Sequence, residues 1–331
     1  MIKNYFRVAL RSLKKNKSYV LINTFGLGIA LACCIAAYLI IAYNIEFDDF
    51  HKSEKVEKVF TFHNHIREKD GTIRKTVTAP MVLAPIAAEE ISGIERYVRY
   101  ISDGGLMRYG DNSFSERIAF ADSTFFEMFD FPLLKGDHRS FKNKYSIFIN
   151  EELAKKYFGE EDPLGKLLVL NFPNNKEIEV IVEGVIAKVP LNNTFFFNAI
   201  IRLEHYLDIY NLKNDNWGDW RDPAAFVELT TPENAESISQ QFSKYIPIRN
   251  EVKTDAVVTA YKLEPFKAVF TQDEVNTWWT NGRIGAVPLI VFGSMALLIL
   301  LIACFNLTNT SIAMTAQRLK EVGIRKAIGA A

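Results

Sequence analysis

Two long apolar runs set the overall pattern of the chain. The first covers residues 19–43 without a charged side chain, and the second stays apolar over residues 286–305 before a polar stretch at 306–311. An α-helix rises 1.5 Å per residue, so a run of 25 residues reaches about 37 Å, more than the roughly 30 Å hydrocarbon core of a bilayer. The pattern therefore predicts two membrane-spanning helices, at residues 19–43 and 286–316.

The first apolar run could also be the hydrophobic region of a cleaved signal peptide. It is about twice as long as such a region usually is, and no cleavage site of small residues precedes a polar start. Cys33 follows small residues, as in a lipoprotein signal, but the chain stays apolar beyond it. We therefore interpret residues 19–43 as a retained span.

Residues 44–285 show short strand-like and helix-like patterns in alternation. The alternating run Lys58–Ile66, followed by Asp70-Gly71, predicts a β-hairpin, and Asn150 is placed to cap a helix over Glu151–Phe158 that Gly159 ends. Further helices are predicted at Met81–Ile91, Ser123–Phe129 and Glu233–Tyr245, and further strands at Thr72–Val77, Arg96–Ile101, Arg117–Ala121, Lys166–Phe172, Ile178–Val189, Ala225–Leu229 and Asp255–Leu263. This mixture predicts a membrane protein in which two transmembrane α-helices flank an α+β extracytoplasmic domain.

The charges are balanced overall but unevenly placed. The chain has 39 basic and 39 acidic residues, yet residues 1–43 hold six basic and no acidic ones, and the segment after the second run is also basic. Basic flanks favour the cytoplasmic side, which predicts a multi-pass protein of the bacterial cytoplasmic membrane with both ends of the chain in the cytosol. The segment between these two basic ends is therefore acidic, which argues against nucleic-acid binding.

Residues 1–18 have their own pattern. Apolar side chains recur at helical spacing and basic ones are interleaved with them. The spacing predicts an amphipathic helix on the inner leaflet. A basic flank without helical structure is the alternative.

No sequence motif predicts catalysis, a cofactor or a metal site. The stretch Gly159–Lys166 resembles a phosphate-binding loop only superficially, because five residues separate its glycines instead of four and Leu167 replaces the Ser or Thr that binds magnesium. His63 and His65 would share one face of a strand, but they lack local partner ligands and are expected to be surface histidines. Asn192-Asn193-Thr194 forms a glycosylation sequon that is expected to be a simple loop. We therefore expect a chain that is not an enzyme.

Small and polar residues within the apolar runs suggest helix packing. Gly26 and Gly28, followed by Ala30, could allow close approach of another helix, or they could be ordinary membrane-helix composition. Asn306 and Asn309 could bond another helix or meet water near the inner surface.

Four stretches of the chain resemble the MacB/FtsX family of ABC-transporter permeases. The tail Glu321–Ala330 (EVGIRKAIGA) is similar to the REIGIRKALGA-type stretch of these permeases, and residues 4–34 are similar to their N-terminal basic helix and first span. Ala121–Gly136 and Ile149–Gly165 resemble parts of the family's periplasmic domain.

The resemblance implies a non-catalytic permease subunit of a type VII ABC transporter. ATP would be bound by a separate nucleotide-binding subunit, and two permeases, identical or different, would move their outer domains together. Membrane lipids and a periplasmic adaptor or substrate would be further partners. Residues 317–331 would begin the coupling helix, whose contacts with the ATPase would come from Arg318, Glu321, Gly323, Ile324, Arg325, Lys326 and Gly329. Family permeases continue with further spans, so the chain is expected to be truncated.

Two other functions stay open at this point. A two-span sensor would carry a signal from an outer ligand domain to a cytosolic module. An FtsX-like regulator of a cell-wall hydrolase would use the same mechanotransmission machinery without efflux.

Overall fold

The computed structural model describes residues 17–173, 176–215, 217–218, 222–254, 256–268 and 281–329. It divides the chain into two compact units. The membrane unit holds the chain up to Ile45 and from Ile284 onward, and the outer unit is Glu46–Arg283. The predicted amphipathic helix at residues 1–18 lies almost wholly outside the described residues.

The described residues of the membrane unit form two long helices, α1 (Lys17–Ile45) and α8 (Ala286–Ala327). Both contain stretches long and apolar enough to cross a membrane, at Lys17–Ile45 and Ala286–Ala316. Helix α8 is unbroken, so residues 317–327 continue the second span and no new helix begins at the predicted coupling segment. Gly329, with a φ of 76°, follows the end of the helix, in a conformation that favours glycine.

The two membrane helices run antiparallel. Near one end, Asn44 Oδ1 accepts the N–H of Ile284 at 2.6 Å. Near the other end, Asn306 Nδ2 donates to Asn23 Oδ1 at 3.2 Å. The early part of α1 therefore lies beside the middle of α8.

The outer unit is built on one 11-stranded mixed sheet among the described residues. Its strands are β1 (Val59–Arg67), β2 (Ile73–Thr76), β3 (Ile94–Tyr109), β4 (Asn112–Ala121), β5 (Leu133–Gly136), β6 (Ser146–Asn150), β7 (Leu167–Phe172), β8 (Lys176–Ile186), β9 (Ala199–Arg202), β10 (Ala224–Leu229) and β11 (Val257–Pro265). The main path is β11-β1-β10-β3-β4-β9-β6-β8-β5, with β2 beside β1 and β7 beside β3 and β8. Most neighbours are antiparallel, but β4–β9 and β6–β8 are parallel.

Six α-helices pack around this sheet in the part of the outer unit that the structure describes. They are α2 (Leu83–Glu90), α3 (Phe125–Met128), α4 (Glu151–Phe158), α5 (Leu203–Tyr210), α6 (Ala235–Gln241) and α7 (Ile246–Val252). Short 3-10 turns lie at Val56–Lys58, His138–Lys142, Pro232–Asn234 and Phe242–Tyr245. The α+β class and the two flanking apolar helices agree with the sequence prediction.

Among the described residues, three buried clusters form the core of the outer unit. One lies around β1, β10 and β11, a second around β3, β4, β7 and β8 with α4 and α5, and the third is mainly aromatic. Buried members of the aromatic cluster include Phe125, Phe126, Phe129, Phe131, Phe141, Phe148, Phe195, Phe226 and Phe266. Burying one such side chain stabilises the fold by roughly 1.5–3 kcal/mol.

Local signals in the sequence are confirmed where they are strongest. Helix α4 has the predicted bounds, Asn150 Oδ1 accepts the N–H of Leu153 at 2.8 Å, and Gly159 follows with a φ of 60°. The predicted hairpin is the antiparallel pair β1–β2. One predicted helix is wrong: Glu233–Tyr245 is not a single helix but α6 flanked by two 3-10 turns. Strands β5, β6 and β9 and helices α5 and α7 were not predicted.

Candidate functional site

One loop of the outer unit is bonded to both chain segments that lead to the membrane helices. The loop is residues 190–195, which we call the tether loop. Asp48, on one segment, comes three residues after the end of α1, and Asn281, on the other, comes five residues before the start of α8. Both segments and the loop belong to the outer unit.

Asp48 is the centre of the first attachment. Its backbone N–H donates to the carbonyl of Asn192 at 2.9 Å. Its carboxylate accepts the N–H and the hydroxyl of Thr194, each at 2.7 Å. Asp48 has a φ of 60°, which is uncommon for a residue other than glycine. These bonds are what hold the side chain against the loop.

The environment of Asp48 favours its neutral form. Only 2% of the residue is exposed. Burial raises the pKa of its carboxyl from 3.8 to about 6, although the hydrogen bonds from Thr194 and the positive charges of Arg283 and Lys267 act in the opposite direction. The carboxyl therefore titrates near neutral pH instead of remaining fully ionised.

Asn281 makes the second attachment. Its N–H donates to the carbonyl of Thr194 at 2.9 Å, and its Nδ2 donates to the carbonyl of Asn193 at 3.1 Å. Two residues later, Arg283 Nη2 donates to the carbonyl of Phe47 at 2.7 Å. Thr194 is thus held from both sides, by Asp48 through its N–H and hydroxyl and by Asn281 through its carbonyl.

The polar side chains of the tether loop also hold its own shape. Asn193 Oδ1 accepts the N–H of Phe195 at 2.9 Å, and Asn193 Nδ2 donates to the carbonyl of Pro190. Asn192, Asn193 and Thr194 are all buried. The sequon lies in a loop, as expected, and the side chain of Asn193 carries the internal bonds of that loop.

An aromatic cage holds the same segment a few residues further on. His51 is fully buried, and the rings of Phe50, Phe129, Phe131, Phe195 and Phe266 have centroids 3.9–6.3 Å from its own. His51 Nδ1 accepts the N–H of Asp130 at 3.0 Å. Burial lowers the pKa of His51 from 6.5 to about 3, so the imidazole is neutral at physiological pH. It is a core side chain with a structural hydrogen bond.

His63, His65 and the turn after α4 form no catalytic arrangement with the residues that the structure describes. His63 is buried, so its prediction as a surface residue is wrong, and His65 is half-buried. Among the residues that the structure describes, no three His, Cys, Asp or Glu side chains group closely enough to hold a metal ion. In the turn after α4, Lys166 pairs with Glu161 at 3.0 Å and Asp162 pairs with Lys135 at 2.9 Å. These acids do not fit an ATP phosphate.

The residues predicted for ATPase coupling lie at the far end of α8. Arg318, Glu321, Gly323, Ile324, Arg325 and Lys326 fall within the helix and Gly329 follows it. Gly323, Ile324, Lys326 and Gly329 are exposed, while the side chains of Arg318, Glu321 and Arg325 lie outside the described part of the chain. Their contact with an ATPase stays a prediction.

The two membrane helices meet through alanines. Ala30 and Ala37, seven residues apart on α1, are buried, as is Ala296 on α8. A seven-residue spacing keeps one face of a helix directed at its neighbour. Gly26 is half-buried and Gly28 is exposed, and a Cβ added to either would meet nothing within 4 Å. Any close packing through Gly28 would therefore involve a helix other than α8.

The polar patch of α8 mostly bonds to its own backbone. Hydroxyls at Thr308, Thr310 and Ser311 donate to carbonyls four residues earlier, at 2.8–2.9 Å. Asn306 reaches Asn23 across the hairpin, as described above, whereas Asn309 is exposed. The hydroxyls therefore need no further partner in an apolar medium.

The family model of the MacB-like periplasmic core domain matches residues 20–245. This is more than half of the chain, and it includes Asp48, His51 and the tether loop. The chain belongs to the MacB-like periplasmic core domain family. The recognition of a MacB/FtsX-type permease from the sequence is thereby confirmed.

A curated relative agrees with this MacB-like assignment. The macrolide export ATP-binding/permease protein MacB of Bdellovibrio bacteriovorus is 24% identical over 183 residues, which are 55% of this chain and 25% of that protein. The matched part is therefore about a quarter of the relative's length.

Three solved structures are similar to this chain, and the first of them, with a TM-score above 0.5, shows the fold. A domain described as that of a permease protein from Porphyromonas gingivalis has a TM-score of 0.54 at 23% identity, covering 65% of this chain and 92% of that one. The periplasmic region of MacB from Actinobacillus actinomycetemcomitans has a TM-score of 0.40 at 16% identity, covering 61% and 88%. The extracellular domain of YknZ, a noncanonic ABC-type transporter from Gram-positive bacteria, has a TM-score of 0.42 at 14% identity, covering 61% and 99%.

Proposed function

We propose that this chain is a non-catalytic permease subunit of an ABC transporter, which couples ATP hydrolysis by a separate nucleotide-binding subunit to movement of the outer unit. The observation that carries the proposal is the double attachment of Thr194. The segments bearing Asp48 and Asn281 are covalently continuous with α1 and α8. A force on either helix therefore acts on the same loop.

The coupling contact would be made by the last turns of α8. The charge pattern favours a cytosolic position for this end, with the N-terminus on the same side. Exposed Ile324 and Lys326 are then accessible to the ATPase. A second permease, identical or different, would complete the assembly, and export is the transport class suggested by the name of the Bdellovibrio relative.

A charge reversal in the tail tests the coupling role. The full permease would be reconstituted with its ATPase in nanodiscs and the stimulation of ATP hydrolysis measured. R325E/K326E is expected to reduce this stimulation about tenfold, because reversed charges at an interface repel a surface that was complementary. K135E/K262E makes the same change of net charge in the outer unit and should have no effect. Full stimulation by R325E/K326E, with the ATPase bound, would contradict the proposal.

One observation also fits a second function, a two-span sensor. Helix α8 continues without a break to Ala327, and an unbroken exit helix is what a sensor would use to reach a signalling module. Purification of the intact protein from its host distinguishes the two, because a permease should retain an ATPase and a sensor should not. A regulator of a cell-wall hydrolase would retain the ATPase and, in addition, the hydrolase.

A further inference from the structure

A cavity of about 470 Å³ lies beside the tether loop, within the outer unit. Most of its wall is apolar, and it is formed by Phe50, Phe126, Phe129, Phe131, Pro132, Val189 and Pro190. Ligand cavities in proteins commonly have volumes of this size and a wall of this kind, with a few polar groups that orient the ligand.

The charged groups at the cavity are predominantly positive. Lys52, Lys55 and Lys188 line it, against a single carboxylate, Asp130. Asp130 is already bonded, because it accepts the N–H and hydroxyl of Ser53 at 2.9 and 2.8 Å and lies 3.3 Å from Lys55 Nζ. Lys52 is exposed, and the exposed Lys188 makes a 3.5 Å ion pair with an exposed Glu152. Lys52 and Lys188 therefore supply the excess positive charge.

Chain length keeps this cavity close to the membrane. Phe50 comes five residues after Ile45, the last residue of α1, and five residues reach at most about 18 Å. A 29-residue helix such as α1 is about 43 Å long, so it extends past the roughly 30 Å hydrocarbon core into the headgroup layer. The buried ring of His51, next to Phe50, fixes this part of the segment in the aromatic core.

We propose that this cavity binds an anionic phospholipid of the adjoining membrane leaflet. The headgroup phosphate would lie between Lys52 and Lys188, and the glycerol and first methylenes would lie against Phe50, Phe131 and Val189. A soluble phosphate would leave the apolar wall uncovered, which favours a lipid over a free anion. The proposal goes beyond the coupling function and does not depend on it.

Photo-cross-linking of the full chain tests this site. The chain would be placed in phosphatidylcholine nanodiscs containing a small fraction of photoactivatable phosphatidylglycerol, and cross-linked peptides would be mapped by mass spectrometry. Labelling is expected in residues 50–55 and 188–191. K52E/K188E should reduce it about tenfold, since each lysine near an anionic membrane surface contributes to binding. K135E/K262E, with the same change of net charge, should not.

Four results would overturn the proposal. The first is equal labelling of the two double variants when both have the wild-type thermal unfolding midpoint. The second is equal labelling by photoactivatable phosphatidylcholine, which would indicate membrane proximity without headgroup recognition. The third is loss of labelling on addition of inorganic phosphate, which would indicate a soluble anion. V189E, which places a charge on the apolar wall and leaves both lysines, should also reduce labelling, and unchanged labelling would contradict the acyl-chain contact.

Discussion

The tether loop and the aromatic cage hold the same short segment by different means. Asp48 is held by directional hydrogen bonds to Thr194, whereas His51, three residues later, is held mainly by surrounding rings. Both groups are buried, and burial shifts both towards the neutral form. The pKa is raised at Asp48 and lowered at His51. Asp48, nearest the membrane helix, therefore titrates near neutral pH, while the imidazole of His51 in the folded protein stays neutral until the medium is strongly acidic.

The largest expected effect is the acid sensitivity of the cage. The pKa of His51 is about 3 in the folded protein against 6.5 ordinarily, so the unfolded chain binds the proton more strongly. The contribution of neutral His51 to the free energy of unfolding is complete above pH 6.5. It is lost as the pH falls towards 3, by up to about 5 kcal/mol. Urea unfolding of the full chain in detergent, measured from pH 7 to 4, should show this loss.

The variant H51N removes the titrating group and should flatten that pH dependence. H138N, which changes an exposed histidine at the edge of the same aromatic cluster, is the matched control and should keep it. An unchanged slope in H51N would show that another group causes the acid sensitivity.

The second-largest expected effect concerns Asp48, which is bonded to the tether loop. Its effect on the pH dependence of stability has the opposite sign to that of His51. The pKa of Asp48 is about 6 when folded and 3.8 ordinarily, so the folded protein binds the proton more strongly and stability falls as the pH rises from about 4 to 6. The cost at neutral pH is up to about 3 kcal/mol. D48N should therefore be more stable than the wild type at pH 7. It should also lose stability more steeply on acidification, because it lacks the carboxyl whose protonation stabilises the folded wild type.

The same urea titration measures the effect of D48N. D49N, a change at the neighbouring exposed aspartate, should reproduce the wild-type curve. Parallel curves for D48N and the wild type would indicate that Asp48 is ionised in the folded state across this range.

The smallest expected effect comes from a variant that weakens only the second attachment, the one between Asn281 and the tether loop. N281A removes the bond from Nδ2 to the carbonyl of Asn193 but keeps the backbone bond to Thr194. We expect a loss of about 1 kcal/mol and faster amide exchange confined to residues 190–195. N234A, at an exposed asparagine away from the loop, should leave that exchange unchanged. Uniformly faster exchange over the whole outer unit would instead indicate a global role for Asn281.

Sequence patterns were sufficient where the signal is local. Charge-free apolar runs predicted α1 and the first part of α8, and Asn150 with Gly159 predicted both ends of α4. Local patterns could not predict the attachment of Asp48 to the tether loop, because Asp48 and Thr194 are 146 residues apart. An aspartate directly after an apolar span and a polar triplet between Pro190 and Phe195 are each ordinary when considered alone.

The wrong predictions have a common cause in tertiary structure. His63 is buried because β1 is an inner strand between β10 and β11, a position that no local pattern reveals. The helix predicted at Glu233–Tyr245 changes to a 3-10 turn where Phe242 and Tyr245 both enter the core. In both cases the fold places a side chain inside for reasons that depend on distant strands.

The continuity of α8 has a mechanical consequence. Its 42 residues correspond to a rod of about 63 Å, twice the thickness of the hydrocarbon core. Tilting such a rod by one degree about one end moves the other end by about 1 Å. Because its hydroxyls bond to carbonyls of the same helix, the polar stretch at residues 306–311 does not interrupt the rod. For a helix of this length, a small rotation at one end therefore corresponds to an ångström-scale displacement at the other.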